Sequence, residues 1–174
     1  MQTERAVRTI QRRLTAGSGP LLVAIDGRSG VGKSTLAAEL ARQFGAAVVS
    51  GDDFFAGGSN QEWAQRPPNE RADRCIDWRR LRREALEPLL AGRAAAWRPF
   101  YVVGPEAALV TVMSKPVVVL DGVYSGRPEL AELVDLAVLV EMADDAARRR
   151  RLIEREGEAF MVAWHALWDA AEDH

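Results

Sequence analysis

Residues 21–35 read LLVAIDGRSGVGKST, a short apolar run followed by a glycine-rich turn and the start of a helix-forming segment. The run at 21–26 has no polar face, which is typical of a parallel strand that helices bury on both sides. The turn at 27–34 fits the pattern G-x-x-x-x-G-K-[ST] between a strand and a helix. We therefore predict a phosphate-binding loop here, and the alternative is an ordinary glycine-rich turn.

The residue types of this loop explain what it can bind. Glycines let successive backbone N–H groups turn toward a polyphosphate, and the helix that follows adds its positive N-terminus. Lys33 is expected to reach the β- and γ-phosphates, and the Ser34 hydroxyl to ligate Mg²⁺. A planar arginine fork would not replace Lys33 geometrically. The predicted nucleotide-binding residues of the loop are Gly27, Arg28, Ser29, Gly30, Val31, Gly32, Lys33, Ser34 and Thr35.

The composition of the chain is close to that of a soluble globular protein. Of its 174 residues, 48% are hydrophobic and 28% are charged. The formal net charge of -2 excludes a strong global field and argues against a purely electrostatic nucleic-acid binder. Only Lys33 and Lys115 among the 23 basic residues are lysines, so the loop lysine stands out in an arginine-rich chain.

The number of cysteines and the lengths of the apolar stretches indicate the cellular compartment of the protein. Cys75 is the single cysteine, so one chain builds neither a disulfide framework nor a cysteine-based zinc site. The N-terminal segment contains Glu4 and lacks the apolar run of a secretory signal. The longest apolar stretches, such as 116–120, are too short to span a bilayer. We expect a cytoplasmic protein with no membrane or nucleic-acid partner, and the sequence leaves its oligomeric state open.

The hydrophobic pattern alternates strands and helices along the chain. Parallel strands with right-handed crossovers follow from that order. The predicted fold class is α/β, a three-layer P-loop NTPase fold whose mostly parallel central sheet has helices on both faces, with one domain over residues 1–174. The predicted strands are 21–26, 46–50, 97–103, 109–113, 116–122 and a part of 133–142, and the predicted helices are 3–15, 34–44, 77–91, 144–156 and 158–172.

Two segments depart from this regular pattern. Residues 56–73 show neither helical nor strand periodicity, and they contain two glycines and two prolines. A structureless run of that length is usually a functional loop or lid, which is our expectation here. Pro88 is expected to kink the helix at 77–91 or to end its regular part.

Other motifs separate the classes of nucleotide-binding protein that share such a loop. GTPases carry an Asn-Lys-x-Asp motif, and neither Asn60 nor Asn69 is followed by lysine. The Leu-Ser-Gly-Gly-Gln signature of transporter ATPases is absent from the sequence. The strand at 116–122 ends in Asp121-Gly122 rather than in the Asp-Glu pair typical of AAA-type mechanical ATPases. Among proteins with such a loop, the class that these comparisons leave is mainly the small-molecule kinases.

Carboxylates follow two further strands at the sheet edge where the phosphate loop lies. Asp52 and Asp53 come after the second strand, and phosphoryl transfer to a hydroxyl needs such a proton acceptor. Neighbouring residues of an extended chain point opposite ways, so only one of the two can serve easily. The alternative is a solvated turn whose carboxylates cap local N–H groups. Asp121 is expected to help hold Mg²⁺, unless it binds backbone instead.

Three segments together resemble the uridine kinase family of P-loop kinases, which is related to phosphoribulokinase, pantothenate kinase and nicotinamide riboside kinase. They are residues 27–35, the run SGDDFF at 50–55, and Leu120-Asp121-Gly122. The resemblance implies that Asp52 is the catalytic base of an ATP-dependent kinase. The family usually has Glu-Gly where this chain has Asp121-Gly122, and the shorter side chain implies a metal contact through a water molecule.

Residues 144–155 resemble the arginine-rich lid helix of that family. Helical spacing puts Arg148, Arg151 and Arg155 on one face. Lid arginines would close over the phosphates and stabilise the charge on the transferred group. We expect Arg148 to contact the nucleotide and Arg151 and Arg155 to act in catalysis. The alternative is a solvated helix that is rich in arginine because the whole chain is.

The resemblance implies an acceptor site as well. Its expected members are an aspartate near the start of the third helix, for which the candidates are Asp73 and Asp77, and an aromatic residue on the next strand, either Phe100 or Tyr101. Asp53 is a further candidate for substrate binding. Val102 follows Tyr101 where the family has Tyr-Asp, which counts against uridine itself. Arg66 and Arg71 either bind an anionic acceptor or face solvent.

The sequence thus predicts an ATP- and Mg²⁺-dependent kinase for a hydroxyl of a nucleoside or nucleoside-like metabolite. A kinase of a cofactor precursor or antibiotic and an ATP-binding regulator without transfer activity are the alternatives. Relatives usually continue beyond the position of His174, and the sequence leaves open whether the adenine-contacting segment is missing.

Overall fold

A computed structural model of the chain describes residues 2–17, 19–100 and 108–173. Its main sheet has four parallel strands in the spatial order β2-β5-β1-β6, and a separate antiparallel pair is formed by β3 and β4. The strands are β1 (Leu21–Asp26), β2 (Ala47–Ser50), β3 (Ala95–Trp97), β4 (Val110–Val112), β5 (Val117–Asp121) and β6 (Leu136–Leu139).

Helices connect these strands. They are α1 (Gln2–Ala16), α2 (Lys33–Phe44), α3 (Asn60–Ala64), α4 (Pro68–Arg74), α5 (Trp78–Leu81), α6 (Glu87–Leu90), α7 (Asp145–Glu156) and α8 (Glu158–Glu172). A π-helical turn, Arg82–Leu86, joins α5 to α6. The turn ends two residues before Pro88, which has no N–H for the helical ladder, and α6 continues through the proline to Leu90. The helix is therefore irregular before Pro88 but does not end there, and a kink at Pro88 stays a prediction.

The faces of β5 show why the fold has three layers. Val118 and Leu120 pack in one apolar cluster with residues of the α5–α6 segment and α8. Val117 and Val119 pack in a second cluster with residues of α1 and α2 on the other side of the sheet. Because successive strand residues point to opposite faces, an all-apolar strand must be covered twice. The predicted α/β class with helices on both faces of a mostly parallel sheet is confirmed.

The register of the sheet brings three strand ends together. Ser50, the last residue of β2, pairs with Asp121, the last residue of β5. Asp121 in turn pairs with Ile25 of β1, two residues before the phosphate loop begins at Gly27. In a parallel sheet these carboxyl ends share one edge, where ligands bind.

The segment 56–73 is not structureless, so that prediction is wrong. It contains all of α3 and most of α4. The side chain of Ser59 accepts the N–H of Glu62, and the Glu62 side chain accepts the N–H of Ser59, which makes a capping box at the start of α3. Pro68 occupies the first position of α4, where its missing N–H costs nothing.

The strand expected at 97–103 is shorter and begins earlier than predicted. β3 ends at Trp97, residues 98–100 are not in a strand, and residues 101–103 lie outside the described residues. In the described part of the chain, no helix combines the length and the apolarity that crossing a membrane requires.

Candidate active site

The phosphate loop connects β1 to α2 through glycines in conformations that other residues rarely adopt. Gly27 has φ +135°, and a Cβ on it would lie 2.2 Å from the carbonyl oxygen of Val140. Gly32, with φ +104°, stands directly before the first residue of α2. A side chain at Gly27 would therefore push the loop away from the end of β6.

Lys33 lies within the curve of this loop. Its side chain is buried, and Nζ donates hydrogen bonds to the carbonyl oxygens of Gly27 at 2.8 Å and Arg28 at 3.0 Å. Burial lowers the pKa of the ammonium from its ordinary value, while the carboxylates of Glu172, Asp121 and Asp52 oppose that change. The lysine ammonium group thus binds the loop backbone and has several carboxylates near it.

A cleft of about 510 Å³ opens beside the loop and brings most of the predicted catalytic residues together. It is bordered by the second half of the loop, the ends of β2 and β5, and one face of α7. The predicted site residues that line it are Ser29, Gly30, Val31, Gly32, Lys33, Ser34, Thr35, Asp52, Asp121, Arg151 and Arg155.

Asp52 stands in a 3₁₀ turn, Gly51–Phe54, that directly follows β2. Its carboxylate reaches the cleft, but the protein packed around it raises the pKa of the carboxyl above its ordinary value. The positive charges of Lys33 and Arg155 oppose this rise, and the negative charge of Asp121 adds to it. A carboxylate in such surroundings accepts a proton more readily than an ordinary aspartate does.

Asp121 and Ser34 offer oxygen atoms on the same cleft. Asp121 Oδ1 is buried and has no hydrogen-bond partner among the described residues. Across the described ranges no group of three or more His, Cys, Asp or Glu could hold a metal ion. A single carboxylate with a hydroxyl suits Mg²⁺, which keeps several waters and takes further oxygens from substrate phosphates. The residues present therefore fit the predicted ion.

The three arginines predicted on one face of α7 have different surroundings. Arg151 and Arg155 line the cleft. Arg148 is 1% exposed, and its Nη1 donates to the Ser29 carbonyl oxygen at 3.2 Å. In the structure, the buried Arg148 side chain binds the backbone of the loop. Its contact with a nucleotide stays a prediction.

The predicted acceptor residues are engaged in other contacts. Asp53 Oδ2 accepts the indole N–H of Trp97 at 2.8 Å. Asp77 caps α5, since its side chain accepts the N–H of Arg80 at 3.0 Å. Their substrate roles stay predictions.

Asp73 lies at a second cavity of about 820 Å³, where it pairs with Arg127 at 3.1 Å. Phe100 packs against Phe55, with ring centroids 5.2 Å apart. Arg71 is buried, so it does not face solvent as one interpretation held. Tyr101 lies outside the described residues.

Asp26 was not among the predicted site residues, although it organises this edge of the sheet. Its carboxylate accepts the backbone N–H groups of Gly27 at 2.7 Å, Tyr124 at 2.9 Å and Gly126 at 2.8 Å. Tyr124 is the one non-glycine residue of the described ranges with positive φ, at +61°. Asp26 thus joins the phosphate loop to the turn after β5. The signal in the sequence was an acidic residue at the end of an otherwise apolar strand.

A protein-family profile described as "AAA domain" matches residues 22–170. The chain belongs to this family. The match spans nearly all of β1, the phosphate loop, the cleft and most of α8. Strand β5 of this AAA domain ends at Asp121 and is followed by Gly122, whereas mechanical ATPases typically have an Asp-Glu pair at this point. No curated protein matches the chain.

Solved structures resemble the AAA domain over nearly its whole length. A possible uridine kinase from Bacillus stearothermophilus is 20% identical, with a TM-score of 0.65, and the match covers 92% of this chain and 90% of that one. A protein from Silicibacter sp. TM1040, suggested to be a fructose transport system kinase, is 22% identical, with a TM-score of 0.70 and coverages of 99% and 91%. The predicted resemblance to uridine kinase-like P-loop kinases is confirmed at the level of the fold.

Proposed function

We propose that this AAA domain is an ATP- and Mg²⁺-dependent kinase that transfers the γ-phosphate of ATP to a hydroxyl group of a nucleoside or nucleoside-like metabolite. The observation that carries the proposal is one cleft lined by Lys33, Ser34, Asp52, Asp121 and Arg155. Phosphoryl transfer requires a polyphosphate cradle, a proton acceptor and cations near the transferred group, and this set contains all three.

Asp52 is the general base in this proposal. Its carboxylate takes the proton of the acceptor hydroxyl, and the hydroxyl oxygen forms a bond to the γ-phosphorus. The bond from that phosphorus to the β–γ bridging oxygen breaks, so that ADP leaves. The raised pKa of Asp52 supports this role, because it favours proton uptake by the carboxylate.

Cationic groups hold the phosphates and the developing charge. Lys33 would exchange its present hydrogen bonds to loop carbonyls for phosphate oxygens, together with the N–H groups at the start of α2. Arg151 and Arg155, which line the same cleft, would stabilise negative charge on the phosphoryl group during its transfer. Ser34 and Asp121 would hold Mg²⁺, which neutralises phosphate charge when bound.

Two alternative functions would use the same cleft. A kinase of a cofactor precursor or of an antibiotic would use the same cleft with another acceptor. An ATP-binding regulator would bind the nucleotide there and transfer nothing. The presence of Asp52 on the cleft favours a kinase over a regulator, because nucleotide binding alone has no need for a proton acceptor.

The proposal is tested by a screen of hydroxyl acceptors with ATP and Mg²⁺, in which ADP release is followed. Nucleosides and sugars come first, because the similar structures carry uridine and fructose in their names. At least one acceptor is expected to raise ADP release above the ATP-only rate and to gain a phosphate detectable by mass spectrometry. Tight ATP binding with no stimulating acceptor among nucleosides, ribosides, sugars and cofactor precursors would favour the regulator.

A further inference from the structure

Glu172, near the end of α8, binds the phosphate loop through Ser29. One carboxylate oxygen accepts the Ser29 backbone N–H at 3.0 Å, and the other accepts the Ser29 hydroxyl. The residues are 143 positions apart in the chain. Hydrogen bonds with an ionised partner are roughly twice as strong as neutral ones. The last helix therefore fixes a position of the loop that the phosphate-loop motif leaves variable.

Arg148 holds the same residue through its carbonyl oxygen, at 3.2 Å. Ion pairs with Asp145 at 2.8 Å and Asp169 at 3.1 Å fix the guanidinium in turn. The N–H, the hydroxyl and the carbonyl of Ser29 are thus each bound by a charged side chain from α7 or α8.

Arg28, the preceding loop residue, faces α8 as well. Its guanidinium pairs with Asp169 and, at 3.1 Å, with Asp173. Two consecutive loop residues therefore depend on the position of one helix. These contacts involve residues 28 and 29 only. The motif directs the N–H groups of residues 30–34 toward phosphates in the cleft.

The apolar side of α8 anchors the helix without help from these contacts. Leu167, Trp168 and Ala171 are buried in the cluster that covers one face of the sheet. Removing the carboxylate of Glu172 should therefore leave α8 in place and act on the loop.

Glu172 lies outside the phosphate cleft. It lines the second cavity, and it is not among the residues that line the phosphate cleft. The carboxylate therefore binds the loop without taking the place of a phosphate.

We infer that Glu172 is a positioning residue, which holds the phosphate loop in its present shape through Ser29 before a nucleotide binds. Nucleotide binding then has to order the loop very little, so the affinity for the nucleotide is higher than it would be for a loop that Glu172 did not hold. This inference rests on the proposed nucleotide binding, but the state of the empty loop can be measured by itself.

The first measurement is amide hydrogen exchange of residues 27–33 in the nucleotide-free protein. Glu172→Ala is expected to speed exchange in this segment, because two hydrogen bonds to Ser29 are lost. Glu172→Gln should exchange like the parent, since an amide can accept the N–H and donate to the hydroxyl. Glu158→Ala is the matched control, an exposed glutamate at the start of the same helix.

The second measurement is calorimetric binding of Mg²⁺-ATP to the same variants. Glu172→Ala should raise Kd by about tenfold, the loss expected for a hydrogen bond to a charged group. Glu172→Gln and Glu158→Ala should stay within about threefold of the parent. If Glu172→Ala fails to fold, Ser29→Ala removes the hydroxyl half of the contact and should give a smaller rise in the same direction.

Two outcomes overturn the inference. One is unchanged loop exchange or unchanged ATP affinity in Glu172→Ala, and the other is an equal loss in Glu172→Gln and Glu172→Ala. A parent protein that does not bind Mg²⁺-ATP contradicts the proposed function instead. The exchange rates of the nucleotide-free loop then still decide whether Glu172 holds Ser29.

Discussion

Gly30 of the phosphate loop lies against Leu152 of α7, so closely that a Cβ on Gly30 would be 2.7 Å from Leu152 Cγ. The helix that carries the arginines of the cleft therefore rests directly on the loop that would hold the phosphates. Because Leu152 is 2% exposed, it has little free space into which to retreat.

Replacing Gly30 by alanine should disturb both elements at once. The residue has φ +82°, and the new Cβ would overlap Leu152, so we expect Gly30→Ala to weaken ATP binding at least about tenfold. Gly45→Ala is the matched control, because Gly45 also has positive φ, at +60°, but has open space around its Cβ position. Titration calorimetry on both variants separates the overlap from the backbone strain. Equal ATP affinity in the two variants would contradict a tight contact between loop and helix.

The arginines of α7 should differ in their effect on catalysis according to their position. Arg151→Ala and Arg155→Ala each remove a cation from the cleft, so each should lower kcat by about 10²–10³-fold. Arg150→Ala serves as control, since that side chain is 65% exposed and pairs at 3.7 Å with Asp144. Steady-state kinetics with the best acceptor from the screen give kcat and KM for each variant. A fall in kcat for Arg150→Ala as large as for Arg155→Ala would mean that the helix acts through its overall charge.

Asp121 should control how much Mg²⁺ the reaction needs. Asp121→Asn removes the charge of a carboxylate whose Oδ1 has no hydrogen-bond partner among the described residues. The half-saturating Mg²⁺ concentration should rise by about 10–100-fold, as for the loss of an outer-sphere partner of a metal. Asp135→Asn is the control, because Asp135 accepts the N–H of Leu22, near the opposite end of β1. An unchanged Mg²⁺ requirement in Asp121→Asn would remove this residue from the metal site.

The surroundings of Asp52 set the direction of the pH dependence. A base acts only when deprotonated, so activity should be lost as pH falls through the pKa of Asp52. Desolvation by the protein around it raises that pKa from 3.8, so the acid limb of kcat/KM should have its midpoint above 3.8. Circular dichroism at each pH shows whether the protein remains folded. A limb at or below 3.8 would mean that the titrating group is another residue.

The phosphate loop and the strands beside it could be predicted because their signals are local. A run such as 21–26 has few alternatives to a buried strand, and the glycine spacing before Lys33 has a chemical reason. The two helices in 56–73 were missed, although Ser59 and Glu62 have capping-box spacing and Pro68 suits a helix start. The glycines and prolines of this segment concealed those signals.

The contacts behind the loop could not be predicted, because they join distant parts of the chain. No periodicity relates Glu172 to Ser29 or Asp26 to Gly126. Helical spacing predicted Arg148, Arg151 and Arg155 on one face of the helix, but it could not tell which of them would be buried against the loop. That distinction depends on how α7 packs on its neighbours, which is decided by the tertiary fold.

The most direct test of the kinase proposal is a comparison of Asp52→Asn with the parent protein in transfer to the best acceptor. Loss of the general base should lower kcat by about 10²–10⁴-fold, while Kd for Mg²⁺-ATP stays close to that of the parent. The asparagine keeps the shape of the side chain, so folding should be preserved. Undiminished phosphoryl transfer by Asp52→Asn would contradict the account.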